Sequence, residues 1–343
     1  MRNKNLLITT LVLGLIAFAA VRLTRDTPKA AAEKKPLVEA ALLDGAKSLT
    51  IKTNNKSVTI EKSADGWTVK EKLSLPADVE NRLLPLIRDL QKANNFGQLT
   101  ANPKRLEKLG LADSALTLVG PDGQPTTIHF GKPTEDGLGA SARLDGQEFA
   151  VRTDFTGYLE GDPLSWVDLT LFSAKPAEIK SIAFDWKDGK ADFFRKELGA
   201  LFEGKEGPAV EDIVATLATI RAADAVALDD KEVAKAVRTA GVKLTLFDGV
   251  SVTLTFAKLA GTAPNDPGKT FVRVEHSDTK HKANVTAKKA AFIAPSWLAE
   301  QVPGSLADFK KAQQQPAVEP TAPTIQIPGP APAIITSPDI KLK

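Results

Sequence analysis

The three histidines are the side chains of this sequence best suited to metal or acid–base chemistry, because the chain has no cysteine. His129 lies in a strand-like run, whereas His276 and His281 flank the polar turn of residues 277–280. That separation could bring the last two together beside Asp278 as a metal site, although a solvated turn is the simpler interpretation. No His-Glu-x-x-His pattern occurs. We therefore predict no metal site and no cofactor.

Other patterns that could support catalysis are also weak. The glycine-rich residues 131–139 lack the spacing of a phosphate-binding loop, and Pro133 removes an amide donor, so a hairpin loop is the better interpretation. No Gly-x-Ser-x-Gly elbow occurs. The pair Asp229 and Asp230 is more typical of a helix N-cap than of two catalytic carboxylates. We predict no catalytic residues and expect that the protein is not an enzyme.

Four basic residues recur at matching places in the two halves of the chain: Lys132, Arg143, Lys258 and Arg273. They are either solvated charges near strand edges or a basic cluster that faces a ligand. We treat these four residues as speculative interaction residues. The four tryptophans are more typical of core or edge packing than of a carbohydrate platform.

An internal repeat organises the elements around these residues. Residues 47–51 match residues 180–184, and both runs alternate apolar and polar side chains as strands do. Each is followed by a second alternating run, and a third strand is predicted at Trp67 and at Leu201-Phe202. Amphipathic helices follow near residues 76–90, with a kink at Pro85, and near residues 208–220.

The repeat continues with a shorter helix in each half, at residues 103–109 and 230–239, and with further strands. Paired strands are predicted at residues 115–119 and 126–130, and again at 243–247 and 251–256. The last strands are predicted near residues 148–152 and 281–286, before helices that contain Trp166 and Trp297. The fold class is therefore α+β, with two tandem similar units, residues 44–171 and 176–303, each a mainly antiparallel sheet packed on helices.

The N-terminus carries an uncharged, mostly apolar run that begins at Leu6 and ends at Val21. Sixteen helical residues cover about 24 Å, somewhat less than a hydrocarbon core of about 30 Å, but Arg22 can snorkel. Residues 1–25 are therefore interpreted as a membrane anchor, and the alternatives are a cleaved signal peptide with the site 17–19 and, less favoured, a buried core helix. Residues 26–43 would form a stalk.

The charge of the body and the proline content of the C-terminal segment allow two further predictions. Residues 1–35 hold seven Lys/Arg and two Asp/Glu, so the other 308 residues hold 38 bases and 40 acids. The body has no basic excess, and we predict no nucleic-acid partner. Seven prolines fall within residues 312–343. Residues 304–343 are predicted to be a Pro-rich disordered tail.

Several short motifs, in this order, resemble the uncharacterised bacterial family known as domain of unknown function 4340. They are residues 65–67 (Asp-Gly-Trp), 106–111, 116–118, 130–134 (Phe-Gly-Lys-Pro-Thr) and 143–146 (Arg-Leu-Asp-Gly). The second half departs from the pattern, since it lacks the tryptophan and has Ala257 in place of Gly131. The resemblance implies a membrane-anchored envelope protein found beside ABC-type export and gliding-motility-type components.

Three classes of function remain open from the sequence. The first is a non-catalytic accessory subunit that contacts a membrane complex, such as ABC-type transporter components. The second is an envelope module that binds a glycan or a lipid, and the third is a hydrolase. In each case we expect the protein to be a single-pass protein of the inner membrane with its body on the periplasmic side.

Overall fold

The computed structural model describes residues 34–134, 137, 139–263 and 265–312. In this part of the chain ten strands form the first sheet: β1 (Lys35–Pro36), β2 (Ser48–Thr53), β3 (Lys56–Ser63), β4 (Gly66–Val69), β5 (Leu75–Pro76), β6 (Asn94–Thr100), β7 (Ser114–Val119), β8 (Pro125–Pro133), β9 (Ala140–Leu144) and β10 (Ala150–Thr153). The remaining described strands are β11 (Thr170–Ser173), β12 (Ile179–Trp186), β13 (Gly189–Phe194), β14 (Thr219–Arg221), β15 (Asp224–Ala227), β16 (Val237–Leu246), β17 (Ser251–Leu259), β18 (Lys269–His276) and β19 (Ala290–Ile293).

Helices lie between and after these strands. The described α-helices are Ala40–Asp44, Leu84–Lys92, Pro103–Lys108, Gly207–Leu217, Lys231–Lys235, Lys282–Ala287, Ser296–Gln301 and Leu306–Ala312. A π-helical turn, Val79–Leu83, leads into Leu84–Lys92, and short 3₁₀ turns cover Pro163–Trp166 and Pro176–Glu178. The prediction of an α+β fold built on antiparallel sheet is confirmed at this level.

The two large sheets have the same strand order. The first runs β1-β6-β10-β9-β8-β7-β2-β3-β4-β5, and the second, read from its other end, runs β15-β19-β18-β17-β16-β12-β13. If β6 is matched with β15 and β10 with β19, every strand of the second sheet finds a counterpart at the same place in the first. The first sheet then has three additional strands, β1, β4 and β5. All pairs between the described strands of these sheets are antiparallel.

Alternating side chains explain why these segments form strands with one buried face. On β2, Leu49 and Ile51 are fully buried while the residues between them are partly exposed. On β17, Val252, Leu254 and Phe256 show the same pattern. Because successive side chains of a strand point to opposite faces, each sheet has one apolar face for the helices to cover.

The predicted kink at Pro85 takes the form of a change of helix type. The π-helical turn Val79–Leu83 is capped by Asp78, whose carboxylate accepts a hydrogen bond from the amide of Asn81 at 3.1 Å. Pro85 then falls in the first turn of Leu84–Lys92, where its missing N–H costs little. The wide turn therefore allows the chain to restart a regular helix at the proline.

Three predicted elements of the second half were wrong. Leu201 and Phe202 are not in a strand, because the loop of residues 195–206 is held by side chains instead. The helix predicted over residues 230–239 ends at Lys235, since Val237 already pairs with Lys258 as the start of β16. Residues 281–286 were predicted as a strand, but Lys282–Ala287 is a helix.

The predicted boundaries of the stalk and the tail also need correction. Residues 35–44 belong to the folded body, where Leu37 and Val38 are buried and the Leu37 amide donates to the Ala93 carbonyl. Likewise Leu306–Ala312 is a helix with a buried Phe309. Residues 1–33 and 313–343, which include the predicted anchor, lie outside the described residues. Within the described part, no helix is sufficiently long and apolar to cross a membrane.

The two sheets share one hydrophobic core and are joined by polar contacts. Strand β11, which follows the first sheet, pairs antiparallel with β14. The ammonium group of Lys72 lies 2.7 Å from a carboxylate oxygen of Asp224, and Lys282 pairs with Asp168. Buried residues of both sheets belong to a single cluster. The first sheet and the second therefore pack as one folded body.

Candidate functional site

The two basic residues of the second sheet lie on opposite faces of it. Lys258 continues the row of Val252, Leu254 and Phe256, so its side chain leaves the apolar face just beyond the core. Arg273 is opposite Thr255 on the neighbouring strand, on the other face, and is exposed. These two residues therefore do not form one basic cluster.

The two basic residues of the first sheet are also separated. Arg143 is opposite His129, on the outer face of the sheet. Lys132 follows a register shift in β8, and its amide donates to the Leu109 carbonyl at 2.7 Å. A Cβ atom on Gly110 would lie 3.3 Å from the Lys132 side chain, so that side chain packs over the glycine. Lys132 thus helps to hold the end of the preceding helix in place.

Lys258 lines a cleft at one end of the second sheet. This cleft has a volume of about 440 Å³ and lies between the ends of β17 and β18 and the helices after β19. Phe256, Ile293 and Val302 are among its apolar residues. Pockets of this volume are within the range that binds small ligands in other proteins.

Charged side chains stand around this apolar lining. The Lys269 ammonium group lies 2.6 Å from Glu232, and the hydrogen bond that it donates to that carboxylate raises the pKa of the lysine. Lys258, Glu300 and Asp308 also line the cleft, and they have no ion-pair partner among the described residues. The cleft therefore combines an apolar floor with one cationic and two anionic groups that can contact a ligand.

A cleft of about 410 Å³ occupies the matching place in the first sheet. Phe130 lines it as Phe256 lines the other, and both phenylalanines are core residues at the matching position of β8 and β17. Its described lining is mostly apolar or glycine, as at Phe155 and Leu159, with the polar residues Ser114 and Thr156, and includes no charged side chain. In their described linings, the two clefts therefore share a position and differ in chemistry.

The geometry of His276 and His281 does not favour a metal. Their rings stack with centroids 3.9 Å apart and planes 11° apart. The Nδ1 atom of His276 accepts from the Asp278 amide at 3.0 Å, and that of His281 accepts from the Ala283 amide at 3.2 Å. Each neutral ring then carries its proton on Nε2, which leaves no free lone pair for a metal. No group of three or more metal-ligating side chains occurs among the described residues.

His281 instead acts as the N-cap of the helix Lys282–Ala287. Burial lowers the pKa of His281, and the neighbouring His276 and Lys282 lower it further. Asp230 plays the predicted capping role, since its carboxylate accepts from the Glu232 amide at 2.7 Å. In the glycine-rich segment, the Thr134 amide donates to the Gly139 carbonyl at 2.8 Å and is therefore already used within the fold.

Two tryptophans are core residues, as predicted. Trp166 and Trp186 are buried, and their indole N–H groups donate to the carbonyls of Glu160 and Pro303, each at 2.7 Å. Trp297 is 49% exposed.

Sequence reasoning missed Glu300 and Asp308 as lining residues, because Asp308 lies in the segment assigned to the tail.

Comparison with known proteins agrees with the motifs. No curated protein and no solved structure matches the chain. The family described as Domain of unknown function (DUF4340) matches residues 67–232, which extend from β4 of the first sheet to the helix Lys231–Lys235. The resemblance of this chain to the DUF4340 family is thereby confirmed over those residues.

Proposed function

We propose that the protein is a membrane-anchored envelope protein and a non-catalytic accessory subunit of an ABC-type export or gliding-motility-type assembly. The run of residues 6–21 would hold it in the inner membrane, with the body on the periplasmic side. The resemblance to the DUF4340 family supports this setting by association. An anchored body meets other membrane subunits at a raised effective concentration.

The observation that carries this proposal is the construction of the body from two sheets of the same strand order on one shared core. It supports the interpretation of residues 44–171 and 176–303 as tandem similar units. Two similar surfaces at a fixed spacing suit a protein that contacts a multi-subunit partner. The ion pairs Lys72–Asp224 and Lys282–Asp168 would help to keep that spacing.

Two experiments on cells test the location and the partner. Protease added to spheroplasts should digest the body, and protection of the body would contradict the proposed orientation. Crosslinking in intact cells followed by mass spectrometry should recover a membrane protein complex. As a control, residues 1–25 are replaced by a cleavable signal peptide, which should leave the body folded and reduce that recovery. Recovery of no membrane partner from either form would contradict the accessory role.

A glycan- or lipid-binding envelope module is a second candidate function, favoured by the cleft of about 440 Å³ beside Lys258. Binding of anionic phospholipid vesicles and of peptidoglycan fragments should then depend on Lys258. The variant Lys258→Ala should bind less, while Lys243→Ala, which removes an exposed lysine of β16, should bind normally. Equal binding by both variants would count against a site in this cleft.

A further inference from the structure

Among the described residues, the second sheet ends in β13, and no other strand pairs with the outer edge of β13. β13 pairs with β12 on one side and is the last strand of its sheet. Its counterpart β3 is covered in the first sheet, because β4 pairs with the end of β3 and Gly161 lies over its start. A Cβ atom on Gly161 would be 2.6 Å from the Lys56 carbonyl oxygen, which shows how closely that segment approaches.

The hydrogen bonds of the β12–β13 hairpin identify which backbone groups face outward. The Arg195 amide donates to the Lys180 carbonyl at 2.9 Å, just beyond β13. Because antiparallel strands alternate, Gly189, Ala191 and Phe193 bond to β12. The peptide groups of Lys190, Asp192 and Phe194 then point away from β12.

Within the described part of the chain, most of these outward groups have no backbone partner. The Phe194 carbonyl accepts from the Glu203 amide at 3.1 Å. For Lys190 and Asp192, no backbone hydrogen bond to a residue outside the hairpin is found in the part of the chain that is described. Such an edge is a template for another strand, and edge charges normally limit which strand can pair.

We propose that this edge binds the same edge of a second copy of the chain, so that β13 pairs antiparallel with β13 about a two-fold axis. Lys190 and Asp192 are both exposed and lie two residues apart on one face. With Ala191 on the axis, Lys190 of each copy is opposite Asp192 of the other. The outward peptide groups of these residues then form four hydrogen bonds between the copies.

The charges select this register from its neighbours. A shift of the register by one residue would place the outward peptide groups of one copy opposite the inward groups of the other. Only shifts by two residues therefore keep the outward peptide groups of both copies facing each other. Centring on Asp192 would place Asp192 opposite itself, and centring on Lys190 would place Lys190 opposite itself. Like charges directly opposite each other destabilise a strand pair, whereas opposite charges stabilise it. Of the registers centred on Lys190, Ala191 and Asp192, the one centred on Ala191 is therefore the one with complementary charges.

Phe194 gives the same pairing an apolar component. Its side chain is 52% exposed, on the same face as Lys190 and Asp192. In the proposed register, Phe194 is diagonal to Lys190 of the second copy, within reach of that lysine's methylene groups. Pairing would therefore cover part of an exposed aromatic ring.

A cysteine crosslink in the full-length chain, in mild detergent, tests the proposal. The chain has no native cysteine. In Ala191→Cys the two cysteines would face each other in a non-hydrogen-bonded pair about 4.5 Å apart at Cα, which suits a disulfide. Mild oxidation should give a covalent dimer. The control Glu275→Cys, at an exposed site on the inner strand β18, should stay monomeric.

Charge swaps without cysteine test the register by sedimentation. Lys190→Asp or Asp192→Lys alone should weaken the dimer about tenfold, because each creates two like-charge pairs. The double variant Lys190→Asp/Asp192→Lys should restore it. The side-chain pair Lys190–Asp185 is exposed, so the single variants should still fold, which circular dichroism checks. A monomer at all concentrations, or a dimer unaffected by the single swaps, would overturn the proposal.

Discussion

The first and second sheets share their strand order and differ mainly at their edges. After β3 the chain turns at Gly66, whose φ of 115° suits glycine, and adds β4 and β5 beside β3. After β13 the chain enters a loop held by the buried Arg195, which pairs with Glu211 at 3.1 Å and stacks over Phe202. The comparison indicates that the common order provides the core, whereas the segments after the second strand decide which edges remain open to partners.

The largest expected effects on stability concern the buried residues Ile51 and Phe184, which occupy matching positions of β2 and β12. Phe184 stacks on Trp186 at 4.8 Å and contacts Phe309 of the C-terminal helix at 5.7 Å. We expect Phe184→Ala to lower the free energy of unfolding by about 3–5 kcal/mol and Ile51→Ala by about 2–5 kcal/mol.

Urea unfolding measures the loss of unfolding free energy in each variant, and limited proteolysis distinguishes the two variants. Of the two variants, only Phe184→Ala should expose the helix Leu306–Ala312 to early cleavage, because Phe184 contacts Phe309 of that helix and Ile51 lies in the other sheet. Early cleavage of that helix in Ile51→Ala as well would show that it is not held by the second sheet.

The next comparison concerns Gly131 and its counterpart Ala257. A Cβ atom on Gly131 would lie 2.3 Å from the Leu109 carbonyl oxygen, which accepts the Lys132 amide. We expect Gly131→Ala to cost about 1–3 kcal/mol of folding free energy by overpacking. The reverse change, Ala257→Gly, should cost only about 0.5–1 kcal/mol. Thermal unfolding of the two variants compares them, and equal costs would contradict the difference in packing.

A smaller effect is expected at the contact that joins the sheets. Burial alone would raise the pKa of Asp168, but the hydrogen bonds from Lys282 and the Thr170 amide outweigh it and lower that pKa. Because the pKa is lower in the folded state, the stabilisation is present above the unfolded value of about 3.9 and is lost as the pH falls through the folded value.

We expect Asp168→Asn to lower the free energy of unfolding at pH 7 by about 1–2 kcal/mol, since the lysine side is half exposed. Below about pH 4 the variant and the natural chain should converge. Denaturant titrations at several pH values check this, and a constant difference down to pH 3 would contradict the ion pair as the cause.

The smallest predicted effect concerns His281, which caps the helix that follows β18. The matching segment of the first sheet, residues 145–149, is not helical. The lowered pKa of His281 favours the neutral ring in the folded state, so stability should fall as the pH drops below about 6.5. Solvent screening limits this to a few tenths of a kcal/mol. His281→Asn should keep the cap and remove this dependence between about pH 7 and 5. An unchanged pH profile would exclude His281 as its source.

The sequence predicted the strands whose pattern is local and missed those defined by distant partners. Alternating runs such as β2 and β17 were evident because each has its own apolar face. By contrast, β6 has no alternating pattern, and β15 is only four residues long. Both are strands because they pair with β10 and β19, far away in the chain.

The candidate site shows the same limit. Matching positions in the sequence paired Lys132 with Lys258, but the register shift in β8 gives Lys132 a different role. The helix Leu306–Ala312 was assigned to the tail because its single aromatic residue, Phe309, gives no periodic signal. Its burial depends on Phe184, Trp186 and Phe193, more than a hundred residues earlier.

The short strand β1 has a mechanical consequence for a chain held at its N-terminal end. Tension applied at residue 34 would load the two pairs Lys35–Asn95 and Pro36–Asn94. These pairs would separate first, and each residue released would lengthen the segment between the body and the point of attachment by about 3.3 Å. The buried Leu37 and Val38 come next, and extracting them costs far more than breaking an edge pair. A small load would therefore release only β1. The buried residues that follow β1 would resist further extension, and the sheets would stay folded.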